Sequence, residues 1–129
     1  MIPLCLEEGI GVTHYSPLAR GFVAGNRRKE DSGDTLRAKT DDYTKRLYYQ
    51  EADFAVVERL NEIAAQRAAP NAQVALAWLL AQKGVTAPIV GATKMQHLED
   101  AVNALEIMLT DEDLKILTEA YQPHSVLNL

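Results

Sequence analysis

Two short strand patterns separated by helical segments constrain this chain most. Residues 10–15, with the sequence Ile-Gly-Val-Thr-His-Tyr, predict the first strand, which ends before Pro17 because proline cannot donate a hydrogen bond to a ladder. Residues 86–90 predict the second strand. Helices between strands indicate right-handed parallel crossovers, yet two strands cannot form a parallel sheet that is covered on both faces. We therefore interpret the chain as part of a larger α/β structure.

Helical patterns account for most of the remaining chain. The segment 71–83 is apolar on nearly all sides, which predicts that it is the most buried helix. Thr110 and Asp113 have the spacing of a capping box, which predicts the start of the last helix. The preceding predicted helix, over residues 95–106, has an apolar side that we expect to face inward. This side is formed by Leu98, Ala101, Val102 and Leu105. The predicted helices cover residues 3–9, 41–49 with Thr40 as the cap, 51–67, 71–83, 95–106 and 111–121.

The composition excludes several classes of partner and site. The chain has 129 residues and a formal charge of −5, which argues against a nucleic acid or an anionic membrane as partner. No apolar run approaches the roughly 18 residues that a membrane span needs, and no secretory signal is recognisable. The single cysteine, Cys5, excludes an internal disulfide framework, and His14, His97 and His124 are too scattered to predict a metal site. A reducing, cytoplasmic setting is the simplest interpretation.

Three segments in series carry a family resemblance. They are residues 15–21 (Tyr-Ser-Pro-Leu-Ala-Arg-Gly), 72–80 (Ala-Gln-Val-Ala-Leu-Ala-Trp-Leu-Leu) and 88–94 (Pro-Ile-Val-Gly-Ala-Thr-Lys). In this order and spacing they resemble the C-terminal half of the aldo-keto reductase superfamily, whose members are NADPH-dependent (β/α)8 barrels. The tail over residues 121–126 is similar to a bacterial branch of that superfamily.

The resemblance implies a fold for the chain. Residues 1–129 would form the C-terminal half of a TIM barrel, with the two predicted strands as barrel strands 7 and 8 and residues 22–50 as the loop that covers the cofactor. A complete barrel needs about 250 residues, so we expect this α/β unit to be incomplete on its own. The family's catalytic aspartate, tyrosine, lysine and histidine follow strands 2 to 4, so we expect no catalytic residue here.

The first of the two strand-to-helix turns is a candidate for binding the cofactor, NADP. A glycine lets the backbone approach a ligand closely, and exposed amides at a turn can receive pyrophosphate oxygens. By the resemblance, Tyr15 stacks on the nicotinamide ring, and the pyrophosphate is bordered by Ser16, Pro17, Leu18 and Gly21. The alternative for Tyr15 is an aromatic core residue at a strand end.

The second turn leads into a helix N-terminus, where free amides and the helix dipole both favour an anion. The amides belong to Gly91, Ala92 and Thr93, and Lys94 adds a full positive charge. By the resemblance, this turn holds the 2′-phosphate and adenosine end of NADP, with His97 and Asp100 contributing side chains. Two departures from the family pattern are Gly91-Ala92 in place of lysine-serine and Ala101 in place of asparagine. The alternative for Lys94 is a solvated lysine at a helix end.

Residues 26–40 between these turns are rich in charge and lack an apolar period, which predicts a mobile loop. Guanidinium groups bind phosphate in a fork, and Arg37 is the candidate cofactor contact because its surroundings resemble the same loop in the bacterial branch. A solvated role is favoured for three other cations of the loop, Arg27, Arg28 and Lys29.

Three interpretations of the function follow from the resemblance. The first is an oxidoreductase that reduces aldehydes or ketones to alcohols with NADPH, for which this chain supplies part of the cofactor site. The second is a dinucleotide-binding or regulatory module that is not an enzyme, and a third possibility is an inactive fragment. Barrel faces that nothing covers predict self-association.

Overall fold

The computed structural model describes residues 1–26 and 40–124. Arg37 and nearly all of the loop predicted over residues 26–40 lie outside these ranges. Short helical turns occupy Ala19–Gly21, Phe22–Asn26 and Ala104–Glu106. In chain order, the helices and strands are α1 Ile2–Glu7, β1 Val12–Tyr15, α2 Asp42–Leu47, α3 Glu51–Arg67, α4 Asn71–Leu80, β2 Val85–Ile89, α5 Met95–Asn103 and α6 Asp111–Glu119.

The two strands pair in parallel, which confirms the sequence-based expectation. Val12 lies opposite Val85, and after an irregularity Tyr15 lies opposite Ile89. The irregularity is at Thr86, which has no paired residue in β1. Its side chain compensates, because Thr86 Oγ1 accepts a hydrogen bond from the Val12 amide at 3.0 Å. The parallel direction brings the carboxyl ends of both strands to one edge of the sheet.

The sheet has one covered face and one open face. Along β1, Val12 and His14 are partly buried, whereas Thr13 and Tyr15 are exposed. Because side chains alternate between the faces of a strand, this pattern assigns the partly buried residues to the helix-covered side. Tyr15 is 86% exposed and stands on the open side.

The hydrophobic core lies among the helices. Its buried members come from α3, α4 and α6, namely Leu60, Ile63, Ala64, Val74 and Leu117. Full burial of each large aliphatic side chain contributes about 1.5–3 kcal/mol to folding. Helix α4 has a larger share of buried residues than the other helices within residues 1–26 and 40–124, which confirms that it is the most buried.

Helix α2 begins differently from the prediction. The expected cap was Thr40 for a helix over 41–49, but the helix spans Asp42–Leu47 and its N-cap is Asp41. The Asp41 carboxylate accepts a hydrogen bond from the Thr44 amide at 3.2 Å. A carboxylate binds a helix amide more strongly than a hydroxyl does because the bond is charge-assisted, and this explains the shift of the cap by one residue.

The capping box of α6 is confirmed. Thr110 Oγ1 accepts from the Asp113 amide at 3.2 Å, and Asp113 Oδ2 accepts from the Thr110 amide at 2.8 Å. Arg67, the last residue of α3, forms an ion pair with Asp113. Burial on its own raises the pKa of Asp113, but the hydrogen bonds from Thr110 and Arg67 outweigh burial, so its pKa lies below the ordinary value. This carboxylate therefore joins the end of α3 to the start of α6.

The prediction for the apolar side of α5 is wrong in the described chain. Leu98, Val102 and Leu105 are 50%, 56% and 65% exposed rather than inward, and Ala101 is only partly buried. Helix α5 packs on α4 through its other side, where Gln73 Nε2 donates to Asp100 Oδ1 at 2.9 Å. Amphipathicity shows which side of a helix is apolar but does not show what covers it.

Candidate functional site

Both candidate turns lie at the carboxyl edge of the sheet. Tyr15 and Ile89 are opposite each other at the ends of β1 and β2, so the segments that follow them leave the sheet side by side. The residues predicted for the site follow the two strand ends: Tyr15, Ser16, Pro17, Leu18 and Gly21 at the first turn, and Gly91, Ala92, Thr93, Lys94, His97 and Asp100 at the second turn and on α5. Arg37 is the exception, since it lies outside the described residues.

The first turn has an unusual backbone. Ser16, Ala19 and Arg20 have φ angles of 53°, 47° and 58°, and Gly21 has a φ of 88°. A residue other than glycine in this left-handed region costs about 1–3 kcal/mol and persists only where its surroundings enforce it. Such strain is typical of ligand-binding turns.

Hydrogen bonds within the turn provide part of that support. The Ala19 amide donates to the Ser16 carbonyl at 2.9 Å, and the Gly21 amide donates to the Leu18 carbonyl at 2.8 Å. The Arg20 amide donates to Ser16 Oγ at 3.3 Å. Ser16 therefore has a structural role in shaping the turn, in addition to the ligand contact predicted for it.

Arg20 and Asp41 form an ion pair that sequence reasoning missed. Arg20 Nε donates to Asp41 Oδ2 at 2.8 Å, and the guanidinium carbon lies 5.5 Å from the centre of the Tyr43 ring. The hydrogen bond from Arg20 is the main reason why the pKa of Asp41 falls well below its usual range. The one signal in the sequence was Asp41 itself, which is a better helix cap than Thr40.

Tyr15 presents an aromatic face at the open side of the sheet. Its exposure excludes the alternative of a core residue in the described chain. Behind the first turn, burial raises the pKa of Tyr48 above its ordinary value. Tyr48 also lies against Phe22, with 6.0 Å between the ring centres. An exposed ring beside a strained turn suits stacking on a flat heterocycle.

The second turn opens into free space at a helix N-terminus. A side chain placed on Gly91 would meet no atom within 4 Å. Lys94 is the N-cap of α5 and its carbonyl accepts from the His97 amide at 3.1 Å. The positive end of the helix dipole and the Lys94 ammonium both favour an anion at this position.

The two side chains predicted from α5 differ in their surroundings. His97 Nδ1 lies 3.4 Å from Thr93 Oγ1, so the ring packs beside the turn. Asp100 Oδ1 accepts from Gln73 at 2.9 Å and from Gln96 at 3.1 Å. Gln73 is buried and was not predicted, because an amide on an otherwise apolar helix carries no signal of its partner. It orients Asp100 from the neighbouring helix.

Of two cavities in the described part of the chain, one lies beside the candidate site. One, of about 510 Å³, adjoins the first turn and has a wall that includes Phe22, Tyr43 and Tyr48. The chain tail closes part of it, because His124 Nε2 lies 2.7 Å from Asp53 Oδ1. The other, of about 620 Å³, lies between α1 and α6, away from both turns.

Comparison with known proteins shows which proteins the chain is similar to. A model described as the aldo/keto reductase family matches residues 1–122. A Schizosaccharomyces pombe protein that carries the name aryl-alcohol dehydrogenase is 41% identical over 123 residues, which cover 95% of this chain and 34% of the relative. The versiconal hemiacetal acetate reductase of Aspergillus parasiticus is 36% identical over 129 residues, which cover 98% of this chain and 36% of the relative.

A solved structure shares the fold. It is a thermostable aldo-keto reductase in complex with the inhibitor epalrestat, with a TM-score of 0.61 and 27% identity over 93% of this chain and 33% of that protein. The chain spans about a third of the length of these relatives. Within residues 1–26 and 40–124, no helix is both long and apolar enough to cross a membrane.

Proposed function

The chain belongs to the aldo/keto reductase family, and from that membership we propose that it supplies the cofactor side of an NADPH-dependent carbonyl reductase. The observation that carries the proposal is the parallel pairing of Tyr15 with Ile89. It puts both candidate turns at the carboxyl edge of the strands, which is where (β/α)8 barrels have their active sites. In this proposal, residues 1–129 are the C-terminal part of such a barrel, β1 and β2 are its strands 7 and 8, and residues 22–50 cover the cofactor.

The residues at this edge suit a dinucleotide with phosphate groups. The exposed ring of Tyr15 would stack on the nicotinamide, and the segment from Ser16 to Gly21 would border the pyrophosphate. The open space beside Gly91 and the cation of Lys94 would accept the 2′-phosphate end. When bound, NADPH supplies the hydride that reduces the carbonyl carbon of an aldehyde or ketone.

This chain's own residues bind and orient rather than exchange protons. Tyr15 fixes the plane of the nicotinamide, and Lys94 with the α5 amides favours NADPH over NADH through charge. His97 and Asp100 would border the adenosine, and Arg37 would add a guanidinium from the covering loop. The proton for the substrate oxygen would come from a residue outside this chain, so we expect residues 1–129 alone not to reduce carbonyls.

Titration with two ligands tests the proposal. We expect the full chain to bind NADPH, and Tyr15→Leu to weaken NADPH while leaving 2′,5′-ADP unchanged, because 2′,5′-ADP lacks the nicotinamide. Binding is followed by NADPH fluorescence and by calorimetry. Wild-type protein that binds no NADPH would overturn the proposal, and equal weakening of both ligands by Tyr15→Leu would show that Tyr15 does not stack on the nicotinamide.

A further inference from the structure

The strained first turn has an external support in the Arg20–Asp41 ion pair. Arg20 lies within the turn, and its side chain leaves it to reach Asp41, with a separation of 2.8 Å between Nε and Oδ2. The Tyr43 ring lies against the same guanidinium. The guanidinium is therefore held by a carboxylate and by an aromatic face.

Asp41 is a firm anchor for this contact. Its side chain is only 7% exposed, and its Oδ1 accepts from the Thr44 amide at the start of α2. A carboxylate that is fixed by a helix amide loses little further freedom when it binds Arg20, because its rotamer is already set. The ion pair thus ties the turn to α2 rather than joining two mobile side chains.

The backbone of the turn requires such a tie. Ser16, Ala19 and Arg20 all have positive φ angles, and left-handed residues other than glycine revert to ordinary conformations unless their surroundings hold them. The amide of Arg20 binds Ser16 Oγ on one side, and its side chain binds Asp41 on the other. Arg20 therefore connects the middle of the turn to Ser16 through its amide and to Asp41 through its side chain.

We propose that Arg20 is a positioning residue for the cofactor, whose ion pair with Asp41 holds residues 16–21 in the form that receives the pyrophosphate. The inference rests on the proposed function, because it takes the ligand of this turn to be a dinucleotide. The inference adds that the Arg20–Asp41 pair sets the affinity for the pyrophosphate through the conformation of the turn and not through its own contact with the ligand. Without the ion pair the turn relaxes, and part of the binding free energy is then used to order it again, which lowers the affinity.

Ligand-selective binding tests this inference in the full chain. We expect Arg20→Met and Asp41→Asn each to raise the Kd for NADPH about tenfold, as expected for the loss of one charge-assisted hydrogen bond. The Kd for adenosine 2′-monophosphate stays unchanged, because that ligand carries neither phosphate of the pyrophosphate and would bind at the second turn. Arg20→Lys keeps a cation near Asp41 and restores part of the NADPH affinity.

The matched control is Arg59→Met. It removes another arginine–carboxylate pair, with Glu62 at 2.9 Å on the exposed side of α3, and it leaves both Kd values unchanged. A purely structural role of Arg20 would instead weaken both ligands together with a lower melting temperature, and that result would overturn the inference. Should Arg20→Met fail to fold, Asp41→Asn and Arg20→Lys still give the two Kd values.

The outcomes separate the two proposals. If wild-type protein binds no NADPH, the proposed function fails and the inference fails with it. If wild-type protein binds NADPH and the variants of Arg20 and Asp41 bind it equally well, only the inference is overturned.

Discussion

The helical core and the open side of this chain are built from similarly apolar residues but have opposite surroundings. In the core, Ile63 is 1% exposed and packs within α3, α4 and α6. On the open side, Tyr15 of β1 and Leu98 of α5 are 86% and 50% exposed. The difference shows that the helices which follow each strand pack on one another, whereas the faces directed away from them have no comparable cover in the described chain.

This contrast is the one expected for a section of a closed barrel. A barrel strand needs a neighbour on each side and side chains that fill the interior. In the proposed complete barrel, the open face of β1 and β2 would line the interior, and the apolar side of α5 would meet the elements next to strand 8. In this proposal, the open side carries both the cofactor site and the surfaces that the rest of the barrel would cover.

Self-association is the largest effect that we expect from the open side. In a solution of residues 1–129 alone, unpaired strand edges and apolar faces favour contact between copies. We expect sedimentation to give masses above that of one chain, and Val102→Glu on the exposed side of α5 to shift the population toward monomer. The control is Glu58→Gln on α3. A monodisperse wild-type monomer with a cooperative thermal transition would contradict the expectation.

Truncation of one side chain in each region tests the contrast directly. Ile63→Ala should lower the free energy of unfolding by about 2–5 kcal/mol, because it leaves a cavity in the core. Leu98→Ala should change it by less than about 0.5 kcal/mol in the isolated chain, as for an exposed residue. Urea unfolding at a dilution where the chain is monomeric measures both. Equal losses would mean that the α5 side is covered after all.

Local rules predicted those parts of the fold that depend on neighbouring residues. The bounds of α3 at residues 51–67 and the box of Thr110 with Asp113 follow from helical period and cap spacing. The parallel strands follow from the helices between them. For these elements, the local signals of helical period and cap spacing agree with the tertiary structure.

The features that could not be predicted depend on residues distant in the chain. Arg20 and Asp41 are 21 positions apart, and Gln73 and Asp100 are 27 apart. No periodicity relates such pairs, because their meeting is decided by how whole elements pack. The exposure of α5 was missed for the same reason, since the covering of an apolar side is a property of its neighbours and not of the helix.

Cofactor preference gives a smaller effect at the open side. Replacing Lys94 and Arg37 together by alanine should weaken NADPH by about 1–3 kcal/mol in the complete enzyme, because charge-assisted hydrogen bonds to the 2′-phosphate are lost. NADH, which lacks that phosphate, should bind as before. Lys115→Ala is the control, since it removes an exposed cation that pairs with Glu119 on α6. Equal losses for the two cofactors would show that the second turn does not hold the 2′-phosphate.

The smallest effect belongs to the core side and depends on pH. The pKa of Asp113 is lowered in the folded chain, so its contribution to stability is present above its unfolded pKa of about 3.9 and is lost as the pH falls through the lower folded value. Asp113→Asn should therefore reduce the free energy of unfolding at pH 7 by about 1 kcal/mol, as for a lost helix cap. The difference in free energy of unfolding between wild type and variant should disappear as the pH falls below about 4.

The control is Asp111→Asn, on the same turn but exposed. It removes an equal charge without these hydrogen bonds and should show a weaker pH dependence. Urea unfolding from pH 7 to pH 3 measures the difference, and parallel curves for wild type and Asp113→Asn would contradict a charge-dependent link between α3 and α6.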